Sequence, residues 1–410
     1  MAERTKSYAS SIRSFDDSGD ESMSTSASVS IRNIPVARPA MGIEEEAAVL
    51  EVLRSGWISQ GPKVAEFERE FASYVGAPYA VAMSSCTTAL HLAMVVANVG
   101  EGDEVLCPSL SFIATANAIR YVGATPVFVD IDPVTYNLDP QKVEEAITPR
   151  TRAILAVHQI GMPAAMRELA GIAQRHGIAL LEDAACASGS SYEGERIGHP
   201  HSLLACFSFH PRKVLSTGEG GMITTANPEI AARLKRLRQH AMSVSDLARH
   251  SSTKIMTESY DEVGYNFRMT DMQAALGIVQ LSRLPGFLER RRKRAENYSA
   301  GLAGLPFLVT PVESEDCKTN FQSYMVRVLQ NSPLKRDELM QALLDRGIST
   351  RRGVMALHRE RPYADPKWDT LLCETNKAAD EAIILPLFDQ MSDEEQQYVI
   401  DSVIEVCGGI

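Results

Sequence analysis

Short apolar runs alternate with amphipathic segments along the middle of the chain. The apolar runs lie at 79–83, 104–107, 126–129, 153–157 and 178–182. Segments with helical spacing of apolar residues lie among them, at 111–121, 140–146 and 163–175. Apolar runs of this length are typical of strands buried on both faces. The alternation therefore predicts an α/β fold, in which helices cover both faces of a largely parallel sheet.

The pattern changes at both ends of the chain. Residues 1–33 are rich in Ser, charged and small residues and lack the apolar core of a signal peptide, so we predict a disordered tail. From about Gly301, a predicted strand at 324–329 and a predicted helix at 333–345 precede Ser392-Asp393-Glu394-Glu395, a capping box that opens a final helix. We therefore predict a large domain over 34–300 and a smaller C-terminal α+β domain over 301–410.

Two segments near this boundary carry their own predictions. Ser243–Tyr260 is polar with little periodicity, which indicates a mobile loop near the mouth of the functional site. An amphipathic helix is predicted from Asp271 through Leu284.

Composition and charge exclude several classes of function. The net charge of −11 and the pI of about 5.4 argue against nucleic acid as a partner, because phosphate binding needs a basic footprint. No run approaches the length of a membrane span. The seven cysteines lie mostly in apolar segments without Cys-x-x-Cys spacing, which predicts a reducing, cytoplasmic location with neither disulfides nor a metal site. Dinucleotide-binding and P-loop motifs are absent from the sequence.

Lys213 is the first candidate for chemistry. It lies in a turn rich in glycine and polar residues, between apolar runs at 203–209 and 222–224. Burial among apolar neighbours lowers the pKa of a lysine and makes it an amine nucleophile, as a Schiff base requires. The alternative is an ordinary loop lysine. Asp183 favours the first reading, because it ends a buried strand and ligands of open α/β sheets lie at the carboxyl ends of strands.

A cluster of hydroxyl residues provides a candidate anion site. Ser84-Ser85-Cys86-Thr87-Thr88 follows a predicted strand and opens a predicted helix. The free N–H groups and the dipole of a helix N-terminus attract anions, and threonine hydroxyls add donors. Simple N-capping by Ser or Thr explains the same pattern.

Four motifs together resemble the DegT/DnrJ/EryC1/StrS aminotransferases. They are Glu-Asp-Ala-Ala at 182–185, Ser-Phe-His-Pro-Arg-Lys at 208–213, Gly-Glu-Gly-Gly at 218–221 and Gly-Tyr-Asn-Phe-Arg-Met-Thr-Asp at 264–271. The resemblance extends over roughly residues 34–406. It implies pyridoxal 5'-phosphate (PLP) as the cofactor and the PLP-dependent transferase fold of type I, which is aspartate aminotransferase-like.

The resemblance also implies catalytic roles for two residues. Lys213 would hold the cofactor as a Schiff base and then move the proton between the amino donor and the cofactor. Asp183 would keep the pyridine nitrogen protonated. Cys186 stands where the family usually has Gln or His near the ring hydroxyl, and Cys86 stands where many relatives have glycine. We assign no role to Cys186 from the sequence.

Further cofactor contacts follow from the same resemblance. Thr87, Thr88 and Ser208 match positions that bind the cofactor phosphate, and Phe112 matches an aromatic residue that stacks on the pyridine ring. From the residues alone, Ser208 could equally be bonded to backbone at a strand end, and Phe112 could be core packing. Asn266 matches an asparagine that reaches the cofactor phosphate of the neighbouring subunit, which implies a homodimer with shared active sites.

The implied activity is the transfer of an amino group to a small-molecule ketone. By resemblance the donor is glutamate and the acceptor is a keto sugar, specifically a nucleotide-linked 4-keto-6-deoxyhexose. Arg351 or Arg352 could bind an anionic group of either substrate, although exposed arginines are common on surfaces. Two alternatives stay open, an aminotransferase of a cyclitol ketone and a PLP-binding regulatory protein without turnover.

Overall fold

A computed structural model describes residues 33–244, 255 and 257–408. Nearly all of the predicted tail over 1–33, and the greater part of the predicted loop at Ser243–Tyr260, lie outside the described residues. Within the described part, no helix has the length and apolar character needed to cross a membrane.

A seven-stranded sheet forms the centre of the large domain. Its strands are β1 Tyr79–Met83, β2 Glu104–Pro108, β3 Thr125–Val129, β4 Thr151–Val157, β5 Ala179–Asp183, β8 Leu204–Ser208 and β9 Gly221–Thr225, and the short strands β6 Ser191–Tyr192 and β7 Glu195–Arg196 lie between β5 and β8 in the chain. The strand order is β1-β9-β8-β5-β4-β2-β3. β9 runs antiparallel to both of its neighbours, while the other pairs are parallel. The prediction of a largely parallel sheet is confirmed.

The exception of β9 follows from the length of its connection. Parallel neighbours need a long crossover, whereas antiparallel neighbours can be joined by a short loop. Residues 209–220 join β8 to β9 directly, so the two strands form a hairpin with Ser208 opposite Gly221. This hairpin carries Lys213 in its loop, at the same edge of the sheet as the carboxyl end of β5.

Helices cover both faces of the large sheet. They are α1 Ile43–Ser55, α2 Pro62–Val75, α3 Cys86–Val96, α4 Ala114–Tyr121, α5 Pro140–Ala146, α6 Met166–His176, α7 Pro228–Leu237 and α8 Asp271–Leu302. One core contains residues of α2, α6 and α8, and the other contains residues of α3, α4 and α7. Strands that are apolar on both faces need a buried core on each side of the sheet, and these two cores provide it.

A four-stranded antiparallel sheet forms the smaller C-terminal α+β domain. It consists of β10 Leu308–Val309, β12 Tyr324–Val328, β14 Ala382–Leu385 and β13 Arg351–Arg352, in that order. β11 Cys317–Lys318 pairs instead with β6. The remaining helices are α9 Arg336–Asp345, α10 Lys367–Leu371, α11 Cys373–Glu381 and α12 Asp393–Val406. The boundary at residue 301 stays a prediction, and Leu357, Trp368 and Leu372, which follow it, pack in a core of the large domain.

Helix α8 is longer than its predicted extent, since it runs past Leu284 and Pro285 to Leu302. A proline inside a helix removes one hydrogen bond and usually kinks or ends the helix. Here tertiary packing outweighs that cost, because Leu284 is buried in the large-domain core and Tyr298 in the small-domain core. A single helix therefore connects the two domains.

The first residue of α8 also caps another helix. Asp271 is buried, and its Oδ1 accepts hydrogen bonds from the backbone N–H groups of Gly61 at 2.8 Å and Val64 at 3.0 Å. Its Oδ2 accepts one from the N–H of Lys63 at 3.1 Å. Gly61 is the N-cap of α2 and has no side chain to cap with, so a carboxylate distant in sequence satisfies the N–H groups that a helix start leaves free.

Replacing Asp271 with Ala should therefore destabilise the fold by about 3 kcal/mol, because hydrogen bonds to a charged acceptor contribute about 1.5–3 kcal/mol each and are only partly additive. Urea denaturation measures the change. Asp393→Ala is the matched control, since Asp393 is the first residue of α12 and its side chain is 91% exposed; it should change stability by less than about 0.5 kcal/mol. Equal losses in the two variants would contradict this role of Asp271.

Candidate active site

A cleft of about 860 Å³ lies at the carboxyl ends of the central strands. Its floor includes residues at the ends of β4, β5 and β8, and its outer wall includes β13 and the start of the segment after β14. Seven of the residues predicted from the sequence line it, namely Thr87, Phe112, Asp183, Ser208, Lys213, Arg351 and Arg352. The cleft thus lies between the two domains.

The N-terminus of α3 forms one corner of the cleft and is a candidate anion site. Cys86 and Thr87 are the first two residues of the helix and line the cleft, so their N–H groups have no acceptor within the helix. The Ser208 side chain lines the same cleft from the end of β8. Gly221 allows this close approach, because a Cβ there would lie 2.5 Å from the carbonyl carbon of Ser85 and 2.7 Å from the nitrogen of Cys86.

Asp183 is a buried carboxylate at the floor of the cleft, with 5% of its surface exposed. Its Oδ2 accepts a hydrogen bond from Thr115 Oγ1 at 2.8 Å, and its Oδ1 accepts one from the N–H of Ala185 at 3.2 Å. Burial raises the pKa of Asp183, while these two hydrogen bonds and the nearby Lys213 oppose the rise. A buried carboxylate of this kind is best stabilised by a cation in the cleft.

The amine of Lys213 contacts a thiol. Its Nζ donates a hydrogen bond to Cys186 Sγ at 3.0 Å. Burial lowers the pKa of Lys213, but Cys186, Cys86 and the carboxylate of Asp183 favour the ammonium form, and the net pKa lies above its ordinary value. The prediction that burial would make Lys213 lose its proton more easily was wrong, because it did not include these polar neighbours. A positive charge introduced beside Asp183 would remove part of that upward shift.

Phe112 and a buried histidine complete the walls around this centre. The Phe112 side chain is 62% exposed and lines the cleft, so it is not core packing. His158 accepts a hydrogen bond from the N–H of Ala164 on Nδ1 at 3.0 Å, and its Nε2 then donates to Glu182 at 2.8 Å. This pairing fixes the imidazole beside Asp183 in one tautomer.

Two of the predicted cofactor contacts do not line the cleft of their own chain. Thr88 Oγ1 donates to the carbonyl oxygen of Ser85 at 2.8 Å, and its N–H donates to Ser85 Oγ at 3.2 Å. Thr88 thus takes the capping role that the sequence left open as the alternative. Asn266 Oδ1 accepts a hydrogen bond from Arg268 Nε at 3.2 Å, outside the cleft.

Sequence analysis did not identify two residues that shape the cleft. His158 follows β4 directly, as Asp183 ends β5, so its position at a strand end was a usable signal. Asn320 was not recognisable in the same way. It is fully buried, and its Nδ2 donates to the carbonyl oxygens of Cys186 at 2.7 Å and Ser188 at 2.9 Å.

The donor set fits PLP. A phosphate needs the free N–H groups at a helix start, which Cys86 and Thr87 provide. A protonated pyridine ring needs a buried carboxylate, and an aldehyde needs an amine within the same cleft, which Asp183 and Lys213 provide. The exposed ring of Phe112 offers an apolar face for a flat aromatic ligand.

Comparisons with known proteins agree with this chemistry. Residues 39–404 match the DegT/DnrJ/EryC1/StrS aminotransferase family. The spore coat polysaccharide biosynthesis protein SpsC of Bacillus subtilis (strain 168) is 40% identical over 381 residues, which are 92% of this chain and 97% of SpsC.

Solved structures extend the likeness to the fold. The aminotransferase TlmJ from Streptoalloteichus hindustanus is 36% identical, with a TM-score of 0.83 over 90% of this chain and 97% of its own. Spr1654 from Streptococcus pneumoniae, solved in PMP and PLP forms, is 32% identical. Its PMP form has a TM-score of 0.86 over 92% of this chain and 99% of its own. The chain therefore belongs to the DegT/DnrJ/EryC1/StrS family and is a PLP-dependent aminotransferase.

Proposed function

We propose that this enzyme transfers the amino group of glutamate to a nucleotide-linked keto sugar, specifically a 4-keto-6-deoxyhexose, and that Lys213 and Asp183 are its catalytic pair. The sequence similarity to SpsC, a polysaccharide biosynthesis protein, supports a sugar acceptor. The free-thiol state of all seven cysteines supports the predicted cytoplasmic location. Within the cleft, one observation supports an anionic substrate.

That observation is a group of guanidinium groups without acidic partners. Arg212, Arg351 and Arg352 all line the cleft and are exposed. Within residues 33–244, 255 and 257–408, none of the three forms an ion pair with a carboxylate. Guanidinium groups bind phosphate and carboxylate oxygens with two parallel hydrogen bonds. A nucleotide diphosphate and the carboxylates of glutamate both supply such oxygens, whereas a neutral cyclitol does not.

Lys213 supplies the nucleophile and the base. Its Nζ would hold PLP covalently, and as a free amine it would remove the proton from the donor's α-carbon. Bound PLP supplies an electron sink for the pair that this proton leaves behind. The loop between β8 and β9 fixes the backbone of Lys213, whose N–H donates to the carbonyl oxygen of His210 at 2.8 Å.

Asp183 would keep the ring nitrogen of bound PLP protonated. An ion pair at close range is worth about 4 kcal/mol at an effective dielectric constant near 20, and this energy corresponds to a rise of roughly three units in the pKa of the ring nitrogen. Thr115 donates to the Asp183 carboxylate and Ser111 donates in turn to Thr115 at 2.7 Å, so these hydrogen bonds hold the carboxylate in one orientation.

The homodimer with shared sites rests on two further observations. Ile43, Leu50 and Leu53 of α1 are 71%, 46% and 51% exposed, and Ile58 beyond the helix is 49% exposed. An exposed group of large apolar side chains is typical of a contact surface. Asn266 is exposed and lies outside the cleft of its own chain, as a residue that reaches a second subunit's site would.

Substitutions at Lys213 and at Asp183 should cause two different defects. Lys213→Ala should abolish covalent capture of PLP, measured as the loss of the protein-bound absorption band and of the borohydride-reduced cofactor adduct at residue 213. Asp183→Asn keeps the amine and should still form the adduct, while kcat falls by roughly a thousandfold because about 4 kcal/mol of ion pairing is lost. An adduct on Lys213→Ala at another lysine would reject the proposed nucleophile.

Replacing the arginines should raise KM for charged acceptors only. The double variant Arg351→Gln/Arg352→Gln should raise KM for a nucleotide-linked keto sugar by about 10- to 100-fold, because Gln keeps a neutral hydrogen bond of about 1 kcal/mol where each charge-assisted bond contributed about 1.5–3 kcal/mol. The same variant assayed with a neutral cyclitol ketone is the control, and its KM should not change. If wild type turns over the cyclitol and not the sugar, the acceptor assignment is wrong.

The proposed role of Asn266 across the interface predicts that two inactive variants complement each other in a mixed dimer. Asn266→Ala should weaken PLP binding, and Lys213→Ala removes covalent capture. A heterodimer of the two variants then has one intact site if Asn266 acts across the interface, so an equal mixture that exchanges subunits should recover about a quarter of the tight covalent sites. No recovery, despite exchange shown by differently tagged subunits, would place Asn266 outside the shared site.

A further inference from the structure

Cys186 and Lys213 are two nucleophiles in contact at the floor of an open cleft. The amine nitrogen lies 3.0 Å from the sulfur. Both residues are partly buried and line the cleft, so a small solute can reach them. No step of amino-group transfer proposed above uses the thiol.

The backbones of both residues are held in place. The carbonyl oxygen of Cys186 accepts a hydrogen bond from Asn320 Nδ2 at 2.7 Å, and the turn that contains it is closed by a bond from the N–H of Ala187 to the carbonyl oxygen of Ala184 at 2.9 Å. The hairpin loop holds Lys213. The two side chains therefore meet at a high effective concentration, as in an intramolecular reaction.

We propose that Cys186 and Lys213 form an oxidative modification site, at which a peroxide converts the pair into a reversible sulfur–nitrogen cross-link. The thiol takes one oxygen atom from hydrogen peroxide and becomes a sulfenic acid, and water leaves. The Lys213 amine then attacks the sulfur, an S–N bond forms, and the sulfenic oxygen leaves as a second water. Sulfur is oxidised by two electrons and the peroxide is reduced by two.

The chemistry of sulfenic acids supports the second step. They condense with a nearby thiol or nitrogen nucleophile, and the products are reduced by thiols. Reversal consumes two external thiols, which become a disulfide, and it returns the Cys186 thiol and the Lys213 amine.

The neighbouring cysteines are poorer targets. Cys86 and Cys206 are almost completely buried, and burial raises the pKa of each thiol well above its ordinary value. A protonated thiol reacts slowly with peroxide and with a sulfenic acid. Cys186 is the thiol with an amine at 3.0 Å, so the cross-link is favoured over a disulfide.

The consequence for activity rests on the proposed role of Lys213. A cross-linked amine can neither capture PLP nor move a proton, so oxidation would switch the enzyme off until a thiol reductant restores it. Lys213 is free when the amino group resides on the cofactor. The form loaded with pyridoxamine phosphate should therefore be sensitive, and the form loaded with PLP should be protected.

The test treats both loaded forms of the full chain with hydrogen peroxide and follows them by mass spectrometry of digests prepared without reductant. The pyridoxamine phosphate form should give a joined peptide pair that contains Cys186 and Lys213, lighter by two hydrogen atoms than the separate peptides. Covalent PLP capture should fall in proportion to the joined fraction and should return after dithiothreitol.

Three variants serve as controls. Cys186→Ser and Cys186→Ala should give no joined peptides and no reversible loss of PLP capture. Cys317→Ser is the matched variant, because Cys317 is also a partly buried thiol but its sulfur contacts the carbonyl oxygen of Pro163 and not an amine; it should cross-link like wild type.

Three outcomes would overturn the proposal, namely sulfinic acid at Cys186 without joined peptides, a disulfide with Cys86 or Cys206 in their place, or a reversible loss that persists in both Cys186 variants. A different result would count against the role of Lys213 alone. If both loaded forms cross-link equally and PLP capture is unaffected, the cross-link stands and another residue holds the cofactor.

Discussion

The buried carboxylate of Asp183 is the constraint around which the site is arranged. A charge that is 95% removed from solvent is unfavourable unless hydrogen bonds and a cation compensate it. Thr115, the N–H of Ala185 and the Lys213 ammonium provide part of that compensation, and the raised pKa of Asp183 shows that they do not provide all of it. A protonated pyridine ring bound beside Asp183 would satisfy the remaining demand for positive charge.

The antiparallel insertion of β9 determines where the loop that carries Lys213 lies. In a wholly parallel sheet, the segment after β8 would run away from the carboxyl edge into a crossover helix. The hairpin instead keeps Lys213 in the loop at that edge and returns to the sheet beside Ser208. Gly221 then allows the first turn of α3 to approach β9. One topological exception thus brings the amine, the carboxylate and the anion-binding helix start into a single cleft.

Local patterns predicted most of the large domain, because its buried strands and its amphipathic helices have the apolar spacings typical of those structures. The predicted helix at 140–146 and strand at 79–83 match α5 and β1 residue for residue. Long-range contacts were not predictable in this way. The cap that Asp271 provides for α2, and the continuation of α8 past Pro285, both depend on partners that are distant in sequence. The prediction of a lowered pKa for Lys213 was wrong for the same reason.

A connected set of contacts joins the domain architecture to the reacting amine. Arg291 of α8 is buried and donates to the carbonyl oxygens of Phe321 at 2.9 Å and Gln322 at 2.7 Å. The adjacent Asn320 holds the Cys186 carbonyl, and the Cys186 thiol meets Lys213. Because α8 packs in both cores, this chain of contacts connects both domains to Lys213. The packing between the domains therefore helps to set the position of the amine at the centre of the cleft.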